Sequence, residues 1–98
     1  MKRSSTAAEK RHLQRVAEMG CIACSHIYGH NDTPAQVHHA RVNHGWGRSS
    51  HFMTIPLCVE HHTGKTGVHS MGRDEFEAMH SYSELRLLEI VQNKLGVN

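Results

Sequence analysis

The chain has few of the residues that build a large hydrophobic core, and this scarcity limits what it can be. Aromatic residues make up 5% of the 98 residues, and hydrophobic residues make up 38%. No apolar run approaches the length that crosses a bilayer. The first six residues, Met-Lys-Arg-Ser-Ser-Thr, lack the apolar stretch of a secretory signal and are expected to be a frayed basic start. We therefore expect one small cytoplasmic domain over residues 1–98, without a membrane partner, whose thin core needs a supplement such as a metal ion.

A strong charge bias is also missing, whereas histidine is abundant. The net charge is +2 with the histidines neutral, which permits a polyanionic partner such as DNA but does not require one. Histidine accounts for 11 of the 98 residues. Four of them form adjacent pairs, His38-His39 and His61-His62. These pairs are the first place to look for chemistry.

The chain has only three cysteines, so they cannot all pair with one another in disulfides. Cys21 and Cys24 form a C-x2-C motif, and Cys58 with His61 forms a C-x2-H motif. A C-x2-C motif can be redox-active, but a thioredoxin-like site needs a βαβ context that this sequence lacks. Two such half-sites predict a structural zinc ion with all four tetrahedral positions filled by protein.

Capping residues and apolar periodicity predict an α+β domain. Thr6 and Glu9 form a capping-box pattern and Gly20 suits the end of a helix, so a helix is expected over Ala7–Met19. Residues 25–34 are expected to form turns, and residues 63–67 a flexible connection. A β-hairpin with a long loop is predicted from strands at Ala35–Ala40 and Phe52–Leu57. Two further helices are predicted at Asp74–His80 and Ser83–Leu95. In the last helix the stripe expected to be buried comprises Leu85, Leu88, Val91 and Leu95, widened by Leu87 and Ile90.

The pair His38-His39 falls within the first predicted strand, where successive side chains point to opposite faces. The two histidines therefore cannot do the same job. One can bind an ion while the other faces a neighbouring space, which is the geometry of a metal ligand beside a general base. The alternative is two unrelated surface histidines. His62 is left over next to a zinc ligand, and His69 either folds back as a further metal ligand, which we favour, or caps the next helix.

The loop at residues 41–51 combines positive charge with one aromatic residue. Arg41 and Arg48 are candidates for contact with DNA phosphates, and Trp46 for stacking on a base. A solvated loop, or a tryptophan lid over a small core, explains the same residues, and the sequence does not separate these interpretations. Lys65 is a further candidate for DNA contact. Its Gly-Lys-Thr context does not predict a nucleotide site, because the preceding glycine and strand of a P-loop are missing.

The order of these motifs resembles that of the HNH nucleases, also called ββα-metal or His-Me finger nucleases. More specifically, it is similar to the RecA-dependent nuclease (Ref) family of phages, over roughly residues 13 to 95. The stretches that carry the resemblance are Cys21-Ile22-Ala23-Cys24, Thr33-Pro34-Ala35-Gln36-Val37-His38-His39-Ala40-Arg41, Ile55-Pro56-Leu57-Cys58, His61-His62, Gly67-Val68-His69 and Phe76-Glu77.

The resemblance implies a zinc-stapled hairpin-plus-helix core with flanking helices, and a role for each histidine. His38, His62 and His69 would bind one catalytic divalent ion, and His39 would be the general base. The orienting position falls at His51, where the family more often has Asp or Asn, so His51 either orients the site or ligates a second ion.

The implied function is a metal-dependent DNA endonuclease linked to recombination. Its cofactors would be a structural Zn²⁺ and a catalytic Mg²⁺, Mn²⁺ or Zn²⁺. Its partners would be DNA and a RecA filament, in the cytoplasm of a bacterial host of a phage or prophage. One alternative is a zinc-stapled nucleic-acid-binding module without catalysis, which leaves His38, His39 and His62 unexplained. Another is a histidine-rich metal buffer, against which the ordered half-sites argue.

Overall fold

The computed structural model describes residues 6–40 and 51–96, so Arg41, Trp46 and Arg48 lie outside the described residues. The elements are helices and one two-stranded antiparallel sheet, as the α+β prediction expected. In chain order they are α1 (Ala7–Glu18), a π-helical turn (Ala23–Ile27), β1 (Gln36–His39), β2 (Thr54–Leu57), α2 (Val59–His62), α3 (Val68–Met71), α4 (Arg73–His80) and α5 (Glu84–Leu95).

The first helix begins and ends where its capping residues predict. The Thr6 hydroxyl accepts the Glu9 backbone N–H at 3.1 Å, and the Glu9 carboxylate accepts the Thr6 backbone N–H at 2.8 Å. The chain leaves the helix through Gly20, whose φ of +77° favours glycine. A β-carbon at Gly20 would also lie 3.1 Å from the Thr33 carbonyl oxygen. The same carbonyl accepts the Cys21 N–H at 2.9 Å, which fixes the start of the C-x2-C turn.

The segment after this turn differs from the expected irregular loop. Residues Ala23–Ile27 form a π-helical turn, and the His30 N–H then bonds to the Cys24 carbonyl at 2.8 Å. Backbone hydrogen bonds therefore hold the start of this polar segment. Its composition had indicated only turns.

The β-hairpin pairs β1 with β2 in a register that places His38 opposite Ile55 and His39 opposite Thr54. Both strands are shorter than predicted, at four residues each. All four residues of β2 are buried, whereas in β1 only His38 is. The hairpin thus contributes β2 to the core and presents β1 to a more open side.

The core lies between β2, α1, α4 and α5. Its fully buried side chains include Val16, Ile55, Leu57, Phe76, Leu87 and Val91. The predicted stripe of α5 was wrong at Leu85, which is 51% exposed. The buried stripe instead begins one residue earlier, at Glu84, because positions 84, 87, 88 and 91 share one face at helical spacing.

Within the described ranges, no helix has both the length and the apolar character needed to span a membrane.

Candidate functional site

Within the described residues, two groups of side chains can hold a metal ion, and the first is the predicted zinc set. Its members are Cys21, Cys24, Cys58 and His61, whose ligating atoms all lie within 4.8 Å of one another. Zn–S bonds of about 2.3 Å in a tetrahedron place two sulfurs about 3.8 Å apart. The Cys24 and Cys58 sulfurs are 3.8 Å apart, and the Cys58 sulfur is 3.2 Å from His61 Nδ1. The four residues fit a tetrahedral zinc ion.

Local structure and burial both prepare this Cys3His group for a cation. Cys58 precedes the first residue of α2 and His61 lies one turn later, so the C-x2-H motif folds onto a single point. Burial raises the pKa of the Cys21 thiol to about 12, so its thiolate needs a neighbouring cation to form at neutral pH. Burial, together with the nearby His80, lowers the pKa of His61, which keeps that imidazole in the neutral, ligating form.

Two residues that the sequence reasoning missed surround the His61 ring. The Tyr28 ring stacks on His61 with 5.8 Å between centroids, and the His80 ring packs edge-on at 5.1 Å. The Tyr28 hydroxyl donates to His80 Nδ1 at 2.6 Å, and His80 Nε2–H donates to the Thr66 carbonyl at 2.9 Å. No sequence motif marks Tyr28 or His80, because their partners lie on separate parts of the chain.

The second group consists of His38, His62 and His69, again with ligating atoms within 4.8 Å of one another. We call it the three-histidine group. The Nε2 atoms of His62 and His69 are 3.1 Å apart. His62 Nδ1–H donates to the Gln36 side-chain oxygen at 2.8 Å, so the His62 lone pair lies on Nε2, which faces His69. Burial lowers the pKa of His62, with His38 and His69 adding to the effect, and so favours its neutral form.

The connection between His62 and His69 is ordered by hydrogen bonds rather than flexible as predicted. The Glu60 carboxylate accepts the Thr66 N–H at 2.9 Å and the Thr66 hydroxyl at 2.7 Å. These bonds lower the pKa of Glu60. A β-carbon at Gly67 would lie 2.7 Å from the Glu60 carbonyl, so only glycine allows this close approach. The turn thereby brings His69 back to His62, and Lys65 stands exposed upon it.

His38 has a further partner that the sequence reasoning missed. Its ring is buried, and its Nε2–H donates a hydrogen bond to the Glu84 carboxylate. Glu84 was not distinguished from the ordinary acidic residues of a helix start. Its position on the apolar stripe of α5 is the signal that could have found it.

His39 lies on the other side of β1 and contacts His51. Its Nε2 is 2.9 Å from His51 Nδ1, and the two ring centroids are 5.1 Å apart. His51 therefore lies next to His39, and it is not a member of the three-histidine group. The strand alternation thus gives His38 and His39 different hydrogen-bond partners, Glu84 and His51.

A single cavity borders His39, Glu84 and two members of the three-histidine group. It measures about 470 Å³ and is lined by His38, His39, Val68, His69, Gly72, Arg73 and Glu84. Two members of the three-histidine group, the neighbouring His39 and a cationic side chain thus share one opening. An anionic substrate entering it would meet imidazoles and a guanidinium, with one carboxylate buried behind His38.

The other histidines of residues 6–40 and 51–96 lie outside both metal groups. His26 and His30 are exposed. His12, in contrast, is buried against Phe52, with ring centroids 5.0 Å apart, and burial lowers its pKa. No motif in the sequence marks His12.

One known protein family matches most of the chain. Residues 5–86 match the family described as recombination enhancement, RecA-dependent nuclease. This range contains the Cys3His group, the three-histidine group, His39, His51 and Glu84. A search of curated proteins found no match. The chain therefore belongs to the recombination enhancement, RecA-dependent nuclease family, a family of nucleases linked to recombination.

Proposed function

We propose that the protein is a metal-dependent DNA endonuclease of the HNH, or ββα-metal, type, with His39 as its general base. Family membership supports the nuclease activity. The observation that carries the mechanism is the shared cavity, in which His39 lies beside His38 and His69. A base can activate the attacking water and a cation can stabilise the phosphate charge, so the two together suit phosphodiester hydrolysis.

The donor chemistry of the three-histidine group fits a divalent ion. Imidazole nitrogens suit Zn²⁺ and similar transition metals, whereas Mg²⁺ and Mn²⁺ prefer oxygen and would draw it from water and phosphate. The described residues offer three ligands here, and His69 is exposed, so an ion held by them would keep positions for a substrate. When bound there, the ion would stabilise the charge on the scissile phosphate and on the leaving 3′ oxygen.

His39 would take a proton from the attacking water. A neutral imidazole is suited to this role near neutral pH. When His39 Nε2–H donates to His51 Nδ1, the basic lone pair of His39 lies on Nδ1. His51 thereby acts as the orienting residue, in the place where the resemblance leads us to expect Asp or Asn.

The Cys3His group would hold a structural zinc ion. All four ligands come from the protein, so no position is left for a substrate. The ion would join the C-x2-C turn to α2, the helix that carries His62. Lys65, with Arg41 and Arg48, would contact DNA phosphates, and a RecA filament on the DNA would be the partner.

A zinc-stapled DNA-binding module without catalysis is the alternative. It explains the Cys3His group, but it gives no reason for the convergence of His38, His62 and His69 beside His39. It predicts one metal ion per chain and no cleavage.

Cleavage assays separate the two functions. Supercoiled plasmid and single-stranded circular DNA are incubated with Mg²⁺ or Mn²⁺, with and without RecA filaments, and with wild type, His39→Ala or His30→Ala. His30 is exposed and serves as the matched control. We expect His39→Ala to lose roughly 10²–10⁴-fold in rate while His30→Ala cuts like wild type. Equal cutting by His39→Ala and wild type would rule out His39 as the general base. No cutting by folded, zinc-loaded wild type would favour the DNA-binding module without catalysis.

A further inference from the structure

We propose that Glu84 is a positioning residue of the three-histidine group, holding the His38 ring so that its Nδ1 is the nitrogen offered to a metal ion. The inference rests on the proposed function, because it takes the group as the catalytic metal site. Neither the motifs nor the family resemblance points to Glu84. The role follows from its contacts and its burial.

The first observation is the bond between Glu84 and His38. The ring has two nitrogens, and Nε2 is engaged by the Glu84 carboxylate oxygen Oε2. A carboxylate accepts, so the ring proton lies on Nε2 and the lone pair on Nδ1. Metal-ligating histidines commonly donate their second ring N–H to a carboxylate, which fixes the tautomer and strengthens the ligand. Gln36 makes the equivalent contact with His62 through its side-chain oxygen.

The second observation is that folding alone gives no reason for this carboxylate. Glu84 is only 5% exposed and lies on the buried stripe of α5, where Leu87 and Val91 are its neighbours. Its oxygen Oε1 is buried and has no hydrogen-bond partner within the described part of the chain. A half-satisfied buried carboxylate costs free energy that an apolar residue at this position would avoid.

The start of α5 does not require Glu84 either. Ser83 already caps the helix, because its hydroxyl accepts the Arg86 N–H at 3.1 Å. The useful contact of Glu84 is therefore across the structure, from α5 to β1. Through this contact the last helix acts on the metal group although it supplies none of its ligands.

The carboxylate also alters the charge around the site. His38, His69 and Arg73 line the cavity, and Glu84 is the anionic side chain among its lining residues. A buried anion in contact with one ligand offsets part of the repulsion between a divalent cation and Arg73. Loss of such an outer contact typically weakens metal binding by roughly 10–100-fold.

Metal binding tests the proposal independently of cleavage. Protein that carries one zinc ion per chain is titrated with Mn²⁺, and free Mn²⁺ is followed by electron paramagnetic resonance. We expect Glu84→Ala to bind Mn²⁺ roughly 10–100-fold more weakly than wild type. Glu84→Gln keeps an oxygen acceptor for His38 Nε2–H, so it should recover part of that loss. Glu89→Gln, on an exposed side chain of the same helix, is the matched control and should bind like wild type.

The His38 tautomer supplies a second readout that a merely structural role would not change. In ¹⁵N-histidine spectra of the same zinc-loaded protein before Mn²⁺ is added, the His38 proton should lie on Nε2. The Glu84→Ala variant should show a mixture of both tautomers, and Glu84→Gln the wild-type form. Should Glu84→Ala fail to fold, Glu84→Gln still decides the question, because positioning predicts a retained tautomer and weakened Mn²⁺ binding.

The outcomes separate this proposal from the proposed function. Unchanged Mn²⁺ affinity and tautomer in Glu84→Ala would overturn the role of Glu84, while cleavage by wild type would leave the nuclease standing. Equal Mn²⁺ losses in Glu84→Gln and Glu84→Ala would make Glu84 a direct ligand and overturn the positioning role. Unchanged Mn²⁺ binding in His62→Ala would overturn the metal site itself, and the role of Glu84 with it.

Discussion

The Cys3His group and the three-histidine group each take one ligand from α2, and yet they differ in the number of their protein ligands, in burial and in access to a cavity. His61 and His62 are consecutive in α2, but they point to different groups because successive helical residues are about 100° apart. The Cys3His group has four protein ligands, three of them buried, and aromatic neighbours around His61. The three-histidine group has an exposed member and borders a cavity. The difference separates a group suited to stabilising the fold from one suited to receiving a substrate.

The largest expected effect is loss of the fold when the Cys3His group is broken. Structural zinc binding in small modules is worth about 10–16 kcal/mol, and most of it is folding free energy. We expect Cys58→Ser to lose zinc and cooperative thermal unfolding, measured by metal analysis and circular dichroism. A soluble, cooperatively melting and fully active Cys58→Ser would show that the group is not structural.

Breaking the three-histidine group should remove activity and leave the fold. His62→Ala deletes one of the three proposed ligands of the catalytic ion and leaves all four residues of the Cys3His group in place. We expect one zinc per chain, a melting temperature close to that of wild type, and cleavage reduced by at least roughly 10²-fold. If His62→Ala instead unfolded as completely as Cys58→Ser, the two groups would share one structural role.

The contact between His51 and His39 should have a smaller effect on cleavage. His51→Ala removes a hydrogen-bond partner from His39, and a typical hydrogen bond of about 1 kcal/mol corresponds to roughly fivefold in rate. His51→Asn keeps a side-chain acceptor and should lose less. Single-turnover cleavage by the two variants measures the difference. A loss in His51→Ala as large as that in His39→Ala would instead indicate that His51 is a ligand or the base.

The smallest expected effect concerns His12, a buried imidazole outside both groups. Burial lowers its pKa, with Arg15 adding to the effect, so the folded protein holds His12 neutral while the unfolded chain protonates it near its ordinary value of 6.5. The free energy of unfolding therefore falls as the pH drops below about 6.5 towards the lower pKa of the folded protein, because in that range the unfolded chain binds a proton that the folded protein does not.

Thermal unfolding of the zinc-loaded protein at pH 7.5 and 5.5 tests this linkage. His12→Leu should lose less stability on acidification than wild type, because it removes one group that the unfolded chain protonates. His30→Leu, at an exposed position, should keep the wild-type pH dependence. Both variants retain His61 and His62, so the comparison isolates His12. Equal pH dependence in His12→Leu and wild type would contradict the linkage.

Local signals predicted much of this structure. The capping box at Thr6 and Glu9, the helix end at Gly20 and the C-x2-C and C-x2-H half-sites depend on residues three or so apart, where spacing dictates geometry. The separation of His38 from His39 followed from strand alternation alone. The prediction that Leu85 is buried was wrong because a leucine-rich helix offers more than one apolar stripe. Only packing against the rest of the core selected the stripe through Glu84.

The amino-acid sequence was sufficient to predict α1, the hairpin and the last two helices, since capping and periodicity are local properties of residues, but it did not predict the π-helical turn or α3. Tertiary structure decided which side chains meet. It placed Glu84 behind His38, His80 against His61 and His51 beside His39, across separations of 46, 19 and 12 residues along the chain. Such contacts depend on how α5, α4 and the hairpin pack. No motif records them, because no local backbone geometry sets the spacing between such partners.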